Sequence, residues 1–334
     1  MLFSILIPAY NVENYISECL DSIFGQENIN ESDFLNNVEI LVADDGSTDQ
    51  TRAILEYYSE RFFNLHIYYK DNEGLIITRQ FLVEHAKGEY IIFLDSDDKW
   101  EKNLLSIVYH AIIKNGFPDI LSYGFNIYHE GKLNKYEVEE KKELFLDLEK
   151  DENGWKKILT SDKYNAIWTK VIKTEILKKS KLNSSLSNIQ RGEDKLLSIA
   201  CMENANNWLI IPEHLYDYRI DNSSMTRTFD KDYFQEIIRV EEFVYNKMKL
   251  YLTDGKSYCD WAESVLAKYI DYIVRLQQYG VCKEEMKMIL KKYHHSEIIR
   301  NAIYYAKKYS TLKGRIKAQI LELGLYDLLR WHYR

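Results

Sequence analysis

The sequence predicts an α/β protein: a mainly parallel sheet flanked by helices, followed by an all-α module. Three observations carry that expectation. Short apolar runs alternate with stretches of helical periodicity over the first hundred residues. Polar clusters follow several of those runs directly, where an open parallel sheet collects its ligands. From about residue 232 the alternation gives way to long amphipathic stretches with aromatic stripes.

Phe3–Pro8 is a continuous apolar run closed by a proline, as a buried parallel strand requires. Residues 13–24 then place Tyr15, Ile16, Cys19, Leu20 and Ile23 at helical spacing. Val38–Ala43 is a second strand, ending in Asp44-Asp45-Gly46-Ser47, and Ser47 or Thr48 can cap a helix that carries Ile54, Leu55 and Tyr58. Leu65–Tyr69 and Tyr90–Leu94 are a third and a fourth strand, separated by a helical stretch over 75–85 that Lys87-Gly88 stops. Residues 130–153 are charged and weakly periodic, and read as an exposed loop or a solvated helix. Beyond residue 232 one stripe comprises Tyr233, Ile237, Val240, Val244, Met248 and Tyr251. A second comprises Trp261, Val265, Tyr269, Ile273 and Leu276 and ends at Gly280; amphipathic stretches follow over 296–309 and 313–332. The domain boundary is therefore placed at residue 230, with a helical domain over 231–334.

A chain of 334 residues can bury one large core and a smaller one. Its apolar share of 46% and its 3 prolines exclude a disordered or fibrous protein. Cys19, Cys201, Cys259 and Cys282 show no CxxC or finger spacing, which fits a reducing compartment. Leu2–Pro8 is short for a secretory leader and lacks a basic start, and no run approaches the ~18–20 apolar residues of a membrane span. A cytoplasmic protein is expected, at most peripheral to the inner face of the membrane. Residues 231–334 carry 19 basic and 13 acidic side chains, so residues 1–230 are strongly acidic within a net charge of -8. That asymmetry suggests two modules with different partners.

Asp95, Asp97 and Asp98 crowd into four positions after an apolar strand, a costly arrangement without a cation or hydrogen-bond donors. Hard oxygen ligands of this kind suit Mg²⁺ or Mn²⁺ held jointly with phosphates. Equally, Asp97 or Asp98 could cap a helix starting near Lys99. Asp44 and Asp45 admit the same pair of readings, an Asx turn or a carboxylate facing a nucleobase or ribose. In Arg191-Gly192-Glu193-Asp194 an acid opens a helical run, as a cap or as a general base. No Walker loop, GxGxxG fingerprint or GxSxG elbow is present, His294-His295 has no companions at ligand spacing, and no nucleic-acid motif supports nucleic-acid binding.

Taken in order, these segments resemble the family 2 glycosyltransferases. The shared pattern comprises Ile5-Leu6-Ile7-Pro8-Ala9-Tyr10-Asn11, Val42-Ala43-Asp44-Asp45-Gly46-Ser47-Thr48-Asp49, Asn72-Glu73-Gly74 with Arg79, and Gly88 through Asp98. Ile167-Trp168-Thr169-Lys170, Glu193-Asp194, Tyr216-Asp217-Tyr218-Arg219 and Ser223 through Thr226 continue it, while Gln80 stands where the family commonly has Asn. The resemblance implies a GT-A fold over 1–230, binding the nucleotide sugar within about 1–100 and the acceptor within about 101–230. It implies that Pro8, Ala9 and Tyr10 line the nucleotide pocket and that Asp44 reads a uracil. Arg79 would approach the diphosphate or ribose, and Asp95-Ser96 the donor ribose or sugar. Asp97 would hold Mn²⁺ or Mg²⁺, Asp194 would be the base, and Arg219 and Ser224 would close over the diphosphate from a flexible segment.

The implied activity is inverting transfer of a hexose or N-acetylhexosamine from a UDP-sugar to a hydroxyl of a glycan, glycolipid or glycoprotein. A nucleotide-sugar pyrophosphorylase is a rival, but it calls for a Gly-rich signature where Pro8-Ala9-Tyr10-Asn11 stands. An inactive scaffold acting through the helices is another. For residues 231–334 the open readings are packing against the catalytic domain, homo-oligomerisation or acceptor docking, and peripheral membrane contact through 313–334. Aromatic-rich stripes favour self-association or acceptor docking.

Overall fold

The computed structural model describes residues 1–28, 37–129, 132–135, 140–180, 189, 191–220 and 230–326. Their contacts divide the chain into two compact units. The first gathers described residues within Met1–Lys150, Ala166–Asn188 and Leu197–Ser224. The second gathers those within Asp151–Asn165, Ile189–Leu196 and Met225–Arg334, so it takes two segments from ahead of residue 231.

The first unit is built on one mixed sheet. Strands β1 (Phe3–Ala9), β2 (Val38–Asp44), β3 (Leu65–Tyr69) and β4 (Tyr90–Phe93) run parallel in the order β3-β2-β1-β4. Every residue of β1, β2 and β4 is buried, which explains why each reads as a largely apolar run rather than an alternation; the buried polar residues Ser4 and Glu39 bond to each other. Helices α1 (Ile16–Phe24), α2 (Thr51–Ser59) and α3 (Leu75–His85) connect them, and α3 packs on β1 and β2. Register pairs Ala9 with Asp44, Asp44 with Tyr69 and Leu6 with Phe93, so the residues following all four strands emerge at one edge.

Beyond β4 the sheet departs from a purely parallel pattern. The strand β5 (Lys99–Trp100) precedes helix α4 (Leu104–Lys114), and β6 (Ile120–His129) follows it. Next to β4 lies β9 (Lys170–Lys173), antiparallel to both β4 and β6, and β10 (Asn207–Arg219) is parallel to β6. The reversed β9 therefore brings its N-terminal end, with Trp168 just before it, to the same edge as the C-terminal end of β10.

Three local expectations change. Residues 130–153 hold β7 (Lys132–Lys135) and β8 (Leu144–Asp147), because Leu144 and Leu146 can pair with β10 and bury Leu146 in the core. Helix α2 is not capped by Ser47 or Thr48; Asp49 accepts from the Thr51 N–H instead, at 2.9 Å. No helix begins at Lys99, since Lys99–Trp100 pairs with Tyr216–Asp217 as an edge strand. Helix α6 (Thr174–Lys179) also lies wholly in this unit.

Gly88 shows how tightly the sheet closes. Its N–H donates to Ser4 Oγ at 2.8 Å, and a Cβ there would stand 2.6 Å from the Ser4 backbone nitrogen. Gly88→Ala is therefore expected to cost about 2–3 kcal/mol of stability by forcing β1 aside, as urea unfolding would show.

In the second unit, α5 (Glu152–Thr160), α8 (Tyr233–Tyr251), α9 (Gly255–Gln278), α10 (Lys283–His294), α11 (Glu297–Tyr309) and α12 (Leu312–Glu322) bury an aromatic core. Helix α7 (Glu193–Met202) starts in this unit and ends in the first. Phe234 stacks on Tyr272 at 4.7 Å and 10°, and Trp261, Val265, Tyr269, Ile273 and Leu276 form the buried face of α9. Among the described residues no helix is long and apolar enough to cross a membrane.

Candidate active site

The sheet edge is shaped by reciprocal bonds between the loops that leave β1 and β2. Asn11, at φ 52°, accepts from the Thr48 N–H at 2.8 Å, while its own N–H donates to Ser47 Oγ at 2.9 Å. Gln50 N–H donates to Glu13 at 2.8 Å, and Glu13 N–H donates to Asp49 at 3.1 Å. Pro8 and Ala9 end β1 beneath this cradle, and Tyr10 projects from it, 49% exposed.

The two aspartates after β2 do different things. Asp44 is buried at the strand end, and one of its oxygens accepts from Ser47 N–H at 2.9 Å. Asp45 holds the β3–α3 loop by accepting from Lys70 Nζ at 2.5 Å, Glu73 N–H at 3.0 Å and Gly74 N–H at 2.8 Å. Burial would raise the Asp45 carboxyl, but Lys70 and those donors hold it below the usual range. Gly46, at φ 77°, makes the intervening turn possible, and a Cβ there would stand 2.9 Å from the Asn72 nitrogen.

The turn after β4 is the centre of the site. Arg79, on α3 and 5% exposed, donates to Asp95 Oδ1 at 2.8 Å. Ser96 is buried and Asp97 is exposed. Asp98, 2% exposed, accepts from Tyr216 Oη at 2.7 Å and from Arg219 N–H at 2.6 Å, so its partners lie on β10 rather than on a helix it caps. Burial, then the charges of Asp97 and Asp95, push the Asp98 carboxyl well above the ordinary range. Tyr216 Oη also accepts from Asp95 N–H at 3.2 Å, closing the turn from both ends. Its ring stacks on Trp168 at 4.4 Å, and Tyr218 stacks on the same indole at 5.4 Å.

Removing the hydroxyl in Tyr216→Phe leaves the stack but strips a donor from a buried carboxylate. The expected cost is about 1–3 kcal/mol in denaturant unfolding; an unchanged midpoint would show the hydroxyl to be idle.

Arg219 is the last residue of β10, not part of a loop, because Tyr216, Asp217 and Tyr218 continue the pairing with β6 up to it. Its Nε donates to the Asp97 carbonyl at 2.8 Å, and its Nη2 donates to Glu18 Oε2 at 2.5 Å. The guanidinium also lies 5.0 Å from the Tyr15 ring and 4.9 Å from that of Tyr128. Lys99 reaches Glu18 at 2.8 Å. Burial would raise the Glu18 carboxyl, yet bonds from Lys99 and Arg219 hold it below its ordinary value. Glu18 was not legible as a site residue, since on α1 it shows only the polar side of an amphipathic helix.

The structure thus brings Pro8, Ala9, Tyr10, Asp44, Arg79, Asp95, Ser96, Asp97 and Arg219 to one sheet edge. Asp194 belongs to the second unit, as the second residue of α7. Ser224 lies outside the described residues. Among the described residues no group of three or more His, Cys, Asp or Glu side chains could hold a metal unaided. The donor set still fits a hard divalent cation shared with a substrate. Asp97 is the exposed carboxylate of the turn, the one a cation arriving with a substrate would meet first.

The family model described as glycosyl transferase family 2 matches residues 4–176. The chain is 25% identical over 337 residues to the uncharacterized glycosyltransferase EpsJ of Bacillus subtilis, covering 98% of this chain and 85% of that protein. A poly(ribitol-phosphate) beta-glucosyltransferase of Bacillus spizizenii is 41% identical over 100 residues, 29% of this chain and 15% of its own. Residues 1–349 of S. aureus TarS in complex with UDP-GlcNAc match with a TM-score of 0.71 at 21% identity, covering 100% of this chain and 93% of that one. At that identity the likeness is one of fold.

Proposed function

Since the chain belongs to glycosyl transferase family 2, we propose that it moves a hexose or N-acetylhexosamine from a UDP-sugar to a hydroxyl of a glycan, glycolipid or glycoprotein, with inversion. The observation that carries the reading is the Asp95–Asp98 turn, fixed at the sheet edge by Arg79 and Tyr216 with Arg219 beside it. A uridine diphosphate donor is supported by the fold likeness to TarS, which has been crystallised with UDP-GlcNAc and with UDP.

Pro8, Ala9 and Tyr10 line the nucleotide pocket, Asp44 accepts from the base, and Asp95-Ser96 faces the ribose or sugar. Asp97 holds Mn²⁺ or Mg²⁺, which neutralises charge on the diphosphate when bound. Asp194 takes the proton from the acceptor hydroxyl. The acceptor oxygen bonds to the anomeric carbon as the bond to the diphosphate breaks, and the leaving group departs with the electron pair. A single displacement of this kind inverts the anomeric centre. Arg219 stabilises the departing charge from the end of β10, and Ser224 is assigned to the same diphosphate.

Self-association or acceptor docking through the helical unit extends the reading, since Tyr304, Tyr309, Leu312 and Ile316 there are exposed. A cytoplasmic location, at most peripheral to the inner membrane face, goes with it.

The test is a panel of UDP-linked glucose, galactose and N-acetylglucosamine, each with Mn²⁺ and with EDTA. One donor should raise the melting temperature only with metal, and NMR of its transfer product should show the anomeric configuration opposite to the donor's. No stabilisation by any donor, or a retained configuration, would overturn the reading.

A further inference from the structure

We infer that helix α8, which lies outside the family match, positions the segment carrying Asp194 through Glu236, Val240 and Glu241. The inference rests on Asp194 being the base.

The segment meets α8 at three successive points. Arg191 N–H donates to Glu236 Oε2 at 3.0 Å, and the Arg191 guanidinium lies 4.6 Å from the Tyr233 ring. Gly192, at φ 94°, lies flat on Val240, where an added Cβ would stand 3.1 Å from Cγ2. Lys195, next to Asp194 and 4% exposed, points its ammonium at Glu241 Oε1, 3.4 Å away, and at Asp162 Oδ1, also 3.4 Å away. Positions 236 and 240 lie one turn apart on one face of α8 and 241 is next to 240, so neighbouring positions of this helix touch the residues on both sides of Asp194.

Glu241 is itself fixed. It is 1% exposed and accepts from Lys268 at 2.8 Å and from the Trp261 indole at 2.9 Å, while Lys268 also reaches Asp162 at 2.9 Å. Two acids and two ammonium groups thus balance, with Lys195 and Glu241 buried, Lys268 partly exposed and Asp162 at the surface of the unit. Such a quartet is a poor way to gain stability, since well-packed apolar side chains of the same volume often do as well or better. What charge pairing supplies here is geometry. A general base must meet its proton at about 2.6–3.2 Å, and a displacement of about 1 Å can cost on the order of 100-fold in rate.

Glu241→Gln keeps the shape and an acceptor for Trp261 but removes the charge that holds Lys195. Expected is a fall of about 10- to 100-fold in kcat, with the donor KM within about twofold of wild type. In an Asp194→Asn background the same substitution should lower the residual rate by less than about twofold, because its effect passes through Asp194. A second variant, Glu241→Gln with Lys268→Met, restores charge balance around Asp162 and Lys195, which protects folding, and should show the same loss of kcat. Equal losses with and without Asp194, or wild-type kcat in the balanced variant, overturn the positioning role alone. Wild-type turnover in Asp194→Asn by itself overturns the base assignment, and the inference with it.

Discussion

Asp194→Asn should lower transfer by about 10³-fold while the donor still binds with near wild-type affinity. The substitution nearly preserves volume but replaces the basic carboxylate with an amide that does not accept a proton near neutral pH. General-base catalysis supplies about 10²–10⁴-fold, which sets the size of the loss. The placement of Asp194 explains why binding should survive. It belongs to the helical unit, whereas Pro8, Asp44, Asp95 and Asp97 belong to the sheet unit. Steady-state transfer together with donor-induced thermal shift reads both quantities in one preparation. Turnover within tenfold of wild type in folded protein would remove Asp194 as the base.

Asp97→Ala should have an effect of similar size through a different parameter. Because Asp98 is engaged by Tyr216 and Arg219, and Asp95 by Arg79, neither neighbour can readily substitute for the missing carboxylate. We expect transfer to fall by at least about 100-fold, in the range found when one group stabilising a developing charge is removed. Mn²⁺-dependent donor binding should disappear with it. Calorimetric titration of UDP with and without Mn²⁺ separates this from a folding defect. A metal-dependent UDP affinity equal to wild type would show that Asp97 is not the ligand.

The parallel core was legible in the sequence because burial on both faces leaves largely apolar runs at β1, β2 and β4, and the polar residues after each run mark one edge. The Asp95–Asp98 turn was legible as a centre, but the division of labour within it was not. Asp98 has the local signature of a helix cap, and its true partners, Tyr216 and Arg219, are more than a hundred residues away. Short strands such as β8 were missed for a related reason. Leu144 and Leu146 show their pairing only once β10 is in place, and the charged sequence around them reads as solvent-exposed. The Asp162–Lys195–Glu241–Lys268 quartet is drawn from four separate segments, and no spacing rule links them.

The bonds from β10 to the aspartate turn also set a clock on the protein's birth. Tyr216 and Arg219 are 118 and 121 residues downstream of Asp98. At about 5–20 residues per second of synthesis, roughly 6–24 s separate the first appearance of the aspartates from the arrival of the strand that locks them. Over that interval Arg79 is already available to Asp95, but Asp98 waits for its partners on β10, while the strands before the turn are already free to pair. The nascent sheet can therefore condense early, but a competent donor site can exist only after almost the whole of the first unit has been made.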